Sequence, residues 1–445
     1  MERSLTEQLA DWIVAQRRSG FSDAVLVSAE QYTLDWLGSA LAGHATEQGN
    51  ILLDYAVSLP QGLCGIIGSQ LCVSAENAAL INGGLSHIVE MDDLDRSSIT
   101  HPGCVIIPAA MAVAEQIGAS GRDFLSAIVA GYEIGIRIGR SVGKQHYFCF
   151  HNTSTCGVFG AAVAAGWLLG LSAEQLVWAL GNAGTMASGL WQFNADGDMS
   201  KHLHAGRAAA NGVLAATLAQ RGFSGARQIL EGERGFFAAT APDNHAERVV
   251  SGLGADALCI DGVSIKPHAS CRHTHPAIDA ALVLREKVGN RPLRSIDVDT
   301  YQAAIDLCDN PDPQTGYAAK FSLYYCVAAA FVRGSVGLDA FSAETRANPT
   351  IRDLLNIIHL THDTEFEQLY PRQWPTRIRV VTENGAELSE TVWHPKGDPE
   401  NRLDSAEMTA KFRQLATYGN HDADQWLDWL RELSLTDKLM LPGHR

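Results

Sequence analysis

Between His87 and Cys104 the chain reads HIVEMDDLDRSSITHPGC, which crowds four carboxylates (Glu90, Asp92, Asp93, Asp95) and two imidazoles (His87, His101) into one short segment. Imidazoles change charge near neutral pH, and a carboxylate beside one can orient it, so these residue types suit proton transfer. An acidic run on its own more often marks a solvated helix end. The His101-Pro102-Gly103 triplet argues for more, because Pro and Gly stop one helix and start the next and so put His101 at a helix N-terminus.

Four further clusters carry reactive side chains. His151 follows an aromatic run in YFCFHNTST. Lys201 lies in DMSKHLHAGRAAANG, and Lys266 and Arg272 in SIKPHASCRHTHPAIDA, in each case ahead of a predicted helix. Tyr324 and Tyr325 sit on the otherwise apolar segment AKFSLYYCVAAA. Each has a structural alternative: a satisfied buried His, a surface Lys, a core Tyr with a hydroxyl partner. His202/His204 and His273/His275 lack a spaced third ligand, so no metal site is expected. GYEIGIRIGR misses the dinucleotide spacing, and no nucleophile elbow or phosphate loop occurs, so no cofactor is expected. Lys and Arg ahead of helix N-termini hold carboxylates, and His, Tyr, Lys and acids move protons. The inventory favours acid/base chemistry on a small polycarboxylate.

The elements that position these groups are mostly helical. Apolar stripes run through Leu5, Leu9, Trp12 and Ile13 and through Leu34, Leu37 and Leu41. Further helices are predicted at 75–90, 103–118, 122–142, 154–170, 173–184, 204–221 and 226–232, with a capping box from Ser172 to Gln175. Many are rich in Ala and Gly, which lets helix axes approach closely. The pattern changes near Cys259: CIDGVSIK reads as a short strand, 274–288 as a helix, 296–303 as a strand and 318–332 as a helix. Segments 376–382 and 387–392 flank Asn384-Gly385, a hairpin signal. Helical periodicity returns over 405–433. The predicted fold is mainly α: a helical domain from 1–258 plus 400–445, with an α+β domain from 259–399 inserted before the C-terminal helices.

The chain has 445 residues, 46% hydrophobic and 19% charged, with a net charge of -16. That balance argues against nucleic acid or an anionic membrane as partner. No secretory signal is visible, and Gly157 to Leu171 is too short to span a bilayer. Nine scattered Cys without a CxxC pattern fit reduced thiols in a cytoplasmic protein.

With these clusters in order, the chain resembles the MmgE/PrpD family, which includes 2-methylcitrate dehydratases, cis-aconitate decarboxylases and an iminodisuccinate epimerase. The resemblance rests on NGGLSHIVEMDDLDRSSITHPG, FHNTSTCGVFGAAVAAGWLLGLS, SKHLHAGRAAANG, SIKPHASCRHTHPAIDA, KFSLYYCVAAAFVRG and HPKGDPENRL, and covers nearly the whole chain. It implies a large helical domain with a smaller α+β lid, a homodimer, a site between the domains, and no metal or cofactor. It carries the segment from Glu90 to Asp93, His101, His151, Lys201, Lys266 and Tyr325 onto this chain, and with the residue reading above the expected catalytic residues are His151, Lys201, His101, Asp92 and Asp93, with Lys266, Tyr325, Glu90 and Arg272 binding substrate. Dehydratases and decarboxylases of the family tend to read Asp-Phe-Asp-Asp-Thr where this chain has Glu90-Met91-Asp92-Asp93-Leu94. The lost hydroxyl and the longer first acid point toward the branch containing iminodisuccinate epimerase. The expectation is therefore a cofactor-independent epimerase acting at a carbon alpha to a carboxylate. The alternatives are a dehydratase of a 2-methylcitrate-like acid, and a binding protein that kept the fold without the activity.

Overall fold

The structure is a computed structural model that describes residues 3–255 and 257–443. The chain is mainly α and divides into two compact units, Met1–Val263 with Asp404–Arg445, and Ser264–Leu403. No helix among the described residues is long and apolar enough to cross a membrane, and all nine cysteines are free thiols.

In the first unit the helix Gly157–Leu168 is buried at every position from Gly157 to Trp167. A helix apolar on all sides belongs at the centre of a bundle, and Gly121–Gly139, Ser200–Gln220 and Gly103–Ile117 pack around it. Small residues set how closely these axes approach. A Cβ placed on Gly206 would lie 2.2 Å from the carbonyl oxygen of Leu80, and one on Gly83 would lie 3.0 Å from the Gly206 Cα. Ser200–Gln220 therefore docks flush on Ala75–His87, bringing the first turn of one toward the last turn of the other. Ser74 and Ser172 cap their helices as side-chain acceptors, the latter within the predicted capping box with Gln175. The C-terminal helix Ser405–Tyr418 returns to this unit and packs on Asp23–Gly43.

The second unit is built on a four-stranded sheet. Leu293–Thr300 pairs in parallel with Ile358–His362 and antiparallel with Thr376–Thr382, which in turn pairs with Glu387–Val392. Thr376, Ile378, Val380 and Thr382 alternate inward, the period-2 pattern of a half-buried strand. The hairpin lies where the sequence puts it, with Gly385 at φ 83 in the turn. Helix His275–Val288 covers one face.

Several expected elements differ. Residues 226–232 form turns rather than a helix. Glycines at 225 and 232 leave too short a run to nucleate one, and the segment spends its carbonyls on the chain ahead, Ile229 O on Phe236 N and Leu230 O on Phe237 N. The predicted strand at CIDGVSIK is a 3-10 turn, Cys259–Gly262, followed by only Val263–Ser264 in strand. The strand expected at 296–303 ends at Thr300, and the chain re-enters helix at Gln302–Cys308, with Glu367 accepting from the Gln302 N–H. The helix expected over 318–332 is split, because Ser322 caps a new start, Leu323–Arg333, by accepting from Tyr325 N at 3.0 Å.

Candidate active site

The first unit gathers Glu90, Asp92, Asp93, His101, His151 and Lys201, all from the sequence expectation, and adds His87 and His204. Helix Ala75–His87 ends as the acidic segment begins, and the backbone from Ile88 to Asp93 has no regular structure. Glu90 there adopts φ 61, a left-handed conformation uncommon for a residue other than glycine. That turn sends its buried carboxylate onto the ammonium of Lys201. Lys201 lies within the first turn of Ser200–Gln220, which starts earlier than the expected 204. A cation at a helix N-terminus faces the positive end of the dipole, so Glu90 supplies the charge that lets this lysine stay buried.

Asp92 points the other way. Its Oδ2 lies 2.7 Å from His87 Nδ1 and 3.3 Å from His101 Nδ1. Burial pushes the Asp92 carboxyl up, but the two imidazoles beside it outweigh that and hold it well below the usual carboxylate range. Bonding to Nδ1 fixes the ring tautomer and turns Nε2 into the basic nitrogen. The Nε2 of His87 is buried with no hydrogen-bond partner among the described residues. His87 is thus a site residue that the sequence expectation left outside its catalytic set. The signal was its place in the segment; only the fold shows which acid it meets.

Asp93 is a brace. Its Oδ1 accepts the Gly103 N–H at 2.9 Å and its Oδ2 lies 2.7 Å from the Tyr132 hydroxyl. Burial first, then the nearby Asp35 charge, raise its carboxyl well above the ordinary range. A Cβ at position 103 would sit 2.8 Å from Asp93 Oδ1, so glycine there lets the helix N-terminus close on this acid.

His151 caps the short helix Asn152–Thr155, and its own N–H donates to Gly189 O at 3.0 Å. Its ring stacks with His87 at 5.7 Å between centroids, meets Trp191 at 4.9 Å, and places Nδ1 3.4 Å from His204 Nδ1. Burial, followed by the proximity of His87 and Lys201, drives its pKa well below the free value and so favours the neutral imidazole. His204 is lowered to about 4, again chiefly by burial.

His87, Asp92 and His101 also bring one ligand atom each within 4.8 Å of one another, a set that can accept a cation. The two His–Asp contacts share Asp92 Oδ2, and at 2.7 Å the shorter, to His87 Nδ1, is a hydrogen bond. A carboxylate orienting two imidazoles accounts for the geometry.

The second unit holds the other expected binding residues. Lys266 is 1% exposed, and its charge, behind the effect of burial, helps lower His273 to about 3. Arg272 is committed to Asp398, to His275 Nδ1 at 2.8 Å and to Lys396 O at 3.1 Å. Tyr325 is buried with its hydroxyl on Ala340 O, and burial raises it to about 12. Arg272 and Tyr325 thus make hydrogen bonds within their own unit, and Arg272 Nε is buried without a hydrogen-bond partner among the described residues.

The chain is 28% identical to a cis-aconitate decarboxylase-like protein of Aspergillus oryzae over 94% of this chain and 91% of that protein. It is 27% identical to human cis-aconitate decarboxylase, over 94% and 89%. It is 26% identical to the mitochondrial 2-methylcitrate dehydratase of Yarrowia lipolytica, over 63% and 56%. Residues 7–249 match the MmgE/PrpD N-terminal domain and residues 268–433 the MmgE/PrpD C-terminal domain, and the chain belongs to the MmgE/PrpD family.

Proposed function

We propose that this protein is a cofactor-independent epimerase of iminodisuccinate or a related polycarboxylate. The observation that carries the reading is the pairing of a neutral imidazole, His151, with an ammonium held by Glu90, Lys201, in one electrostatic neighbourhood. One is ready to accept a proton and the other to give one. A base takes the hydrogen alpha to a carboxylate, the C–H electron pair moves into that carboxylate as an enediolate, and an acid on the opposite face returns a proton to the carbon. Nearby positive charge favours the enediolate because the charge develops there. Asp92, with His87 and His101, orients the imidazoles or a substrate amine. Relatives named for decarboxylation and dehydration of polycarboxylates support the substrate class. Leu94, buried where the lyases tend to carry Thr, supports retention of the β-substituent.

The second reading is a hydro-lyase, in which the same carbanion expels a β-hydroxide. Single stereoisomers of iminodisuccinate, methylcitrate, citrate and tartrate, together with cis-aconitate, are incubated in deuterated water. Inversion with one solvent deuterium at the alpha carbon supports epimerisation. An alkene absorbing in the ultraviolet moves the assignment to the lyase, and absence of any exchange leaves only a binder.

A further inference from the structure

Lys411 is far from the site in sequence, on the C-terminal helix Ser405–Tyr418, yet it is 7% exposed and its ammonium is spent inside the first unit. It pairs with Asp35, itself buried on helix Asp23–Gly43, and donates to the carbonyl oxygen of Met91 at 2.7 Å. Met91 stands between Glu90 and Asp92. Its carbonyl lies in backbone with no helix or strand ladder to satisfy it, one residue after the left-handed turn at Glu90. A buried carbonyl without a partner is unfavourable, and a left-handed non-glycine residue persists only where its surroundings hold it.

We propose that Lys411 is a positioning residue, which fixes the Met91 peptide so that Glu90 faces Lys201 while Asp92 faces His87 and His101. The two acids diverge from one peptide, and the C-terminal helix holds that peptide in place. Asp35 balances the ammonium. The assignment rests on reading Glu90 and Asp92 as site residues.

The test separates charge balance from positioning. Lys411→Met leaves Asp35 buried without its cation, so Tm falls. Adding Asp35→Asn removes both charges and restores much of the Tm. A purely structural lysine would regain activity with stability. A positioning lysine would not: kcat in Lys411→Met/Asp35→Asn stays about 10–100-fold down with KM little changed, the usual effect of a small misplacement of reacting groups. Asp35→Asn alone keeps Lys411 on Met91, so its kcat is retained while its Tm drops, and this arm decides if the double variant does not fold. The downfield Nδ1–H resonance of His87 gives a readout free of substrate. It shifts in the double variant and stays in Asp35→Asn. Wild-type kcat with an unchanged His87 resonance in the double variant, or full loss of kcat in Asp35→Asn, overturns the proposal. If the wild-type protein turns over none of the tested acids, the functional reading fails and the resonance still tests Lys411.

Discussion

His87 Nδ1 lies 2.7 Å from Asp92 Oδ2, and the opposite ring nitrogen is buried without a hydrogen-bond partner among the described residues. The carboxylate thereby selects the tautomer whose basic lone pair faces away from it. Asp92→Asn keeps the shape but reverses that choice, because its amide can donate to Nδ1. Activity is expected to fall on the order of 10²–10⁴-fold with substrate binding largely kept, as when a carboxylate that orients a catalytic imidazole is lost. Steady-state kinetics on the substrate found active, with kcat and KM separated, check this.

The Glu90–Lys201 pair is buried at both ends, with side chains 2% and 5% exposed. Removing one partner leaves the other charged in a low-dielectric site, so Lys201→Met is expected to cost about 3–5 kcal/mol of stability. Lys201→Met/Glu90→Gln removes both charges and should recover most of it. Epimerisation should be absent from both variants, since neither has the amine. Thermal unfolding beside an exchange assay in deuterated water distinguishes the two effects, and activity in the stable double variant would remove Lys201 from the mechanism.

The sequence carried the mainly α fold, the hairpin and the segments whose side chains the first unit gathers, because those signals are local. Apolar periodicity marks helices, Asn384-Gly385 marks a turn, and His101 before Pro102-Gly103 marks a helix start. It did not carry the pairings. Glu90 meets Lys201, and Asp92 rather than Asp93 meets His87, because a left-handed turn at Glu90 sends adjacent acids in different directions. Lys411 reads as a surface lysine on a polar helix until Asp35 and the Met91 carbonyl are found against it. Arg272 has the type and place of a carboxylate binder, and only the fold shows that Asp398, far along the chain, pairs with its guanidinium.

Stability should decline on mild acidification. His273 is lowered to about 3, and His44 and His146 to about 4, each mainly by burial, and burial also lowers His151 and His275 well below the free value. For such a histidine the unfolded chain takes up a proton near pH 6.5 while the folded protein does not. Its contribution is therefore complete above about pH 6.5 and lost as pH falls toward the folded value. Asp92, with a depressed carboxyl, is lost only further down, as pH falls below the ordinary carboxylate range. Asp93, with a raised carboxyl, changes oppositely: its contribution is present at low pH and lost as pH rises through its folded value. Several histidines against two such acids, Asp93 and Asp299, give a net fall in Tm between pH 7 and 5. A flat or rising profile would contradict the buried neutral imidazoles.

Exhaustive chelation should leave activity intact. Among the described residues two sets bring three possible ligand atoms together, His87/Asp92/His101 and His394/Asp398/Glu400, and the first is already joined by the 2.7 Å hydrogen bond from His87 Nδ1 to Asp92 Oδ2. Metal analysis of active protein before and after chelation tests this, and a stoichiometric ion lost together with activity would replace the hydrogen-bonded reading with a metal centre.

Leu94 offers a test of reaction choice. It is 2% exposed, one residue beyond Asp93 and four beyond Glu90, so it shares the segment that carries both acids. Both reactions begin by forming a carbanion alpha to a carboxylate. They part afterward, when lyase chemistry needs a donor to help a β-hydroxide leave and epimerisation needs a proton delivered to the opposite face. A leucine donates nothing. Leu94→Thr places a hydroxyl where dehydratases of the family tend to have one, at a cost of about 1–3 kcal/mol if it finds no acceptor. The expected outcome is slower epimerisation and measurable alkene formation from a hydroxy polycarboxylate that the wild type leaves intact. Ultraviolet absorbance for the alkene and chiral chromatography for the epimer, on the same samples, give the two rates. If Leu94→Thr forms no alkene while the wild type already dehydrates a hydroxy acid faster than it inverts any centre, Leu94 does not select the reaction and the protein is a lyase.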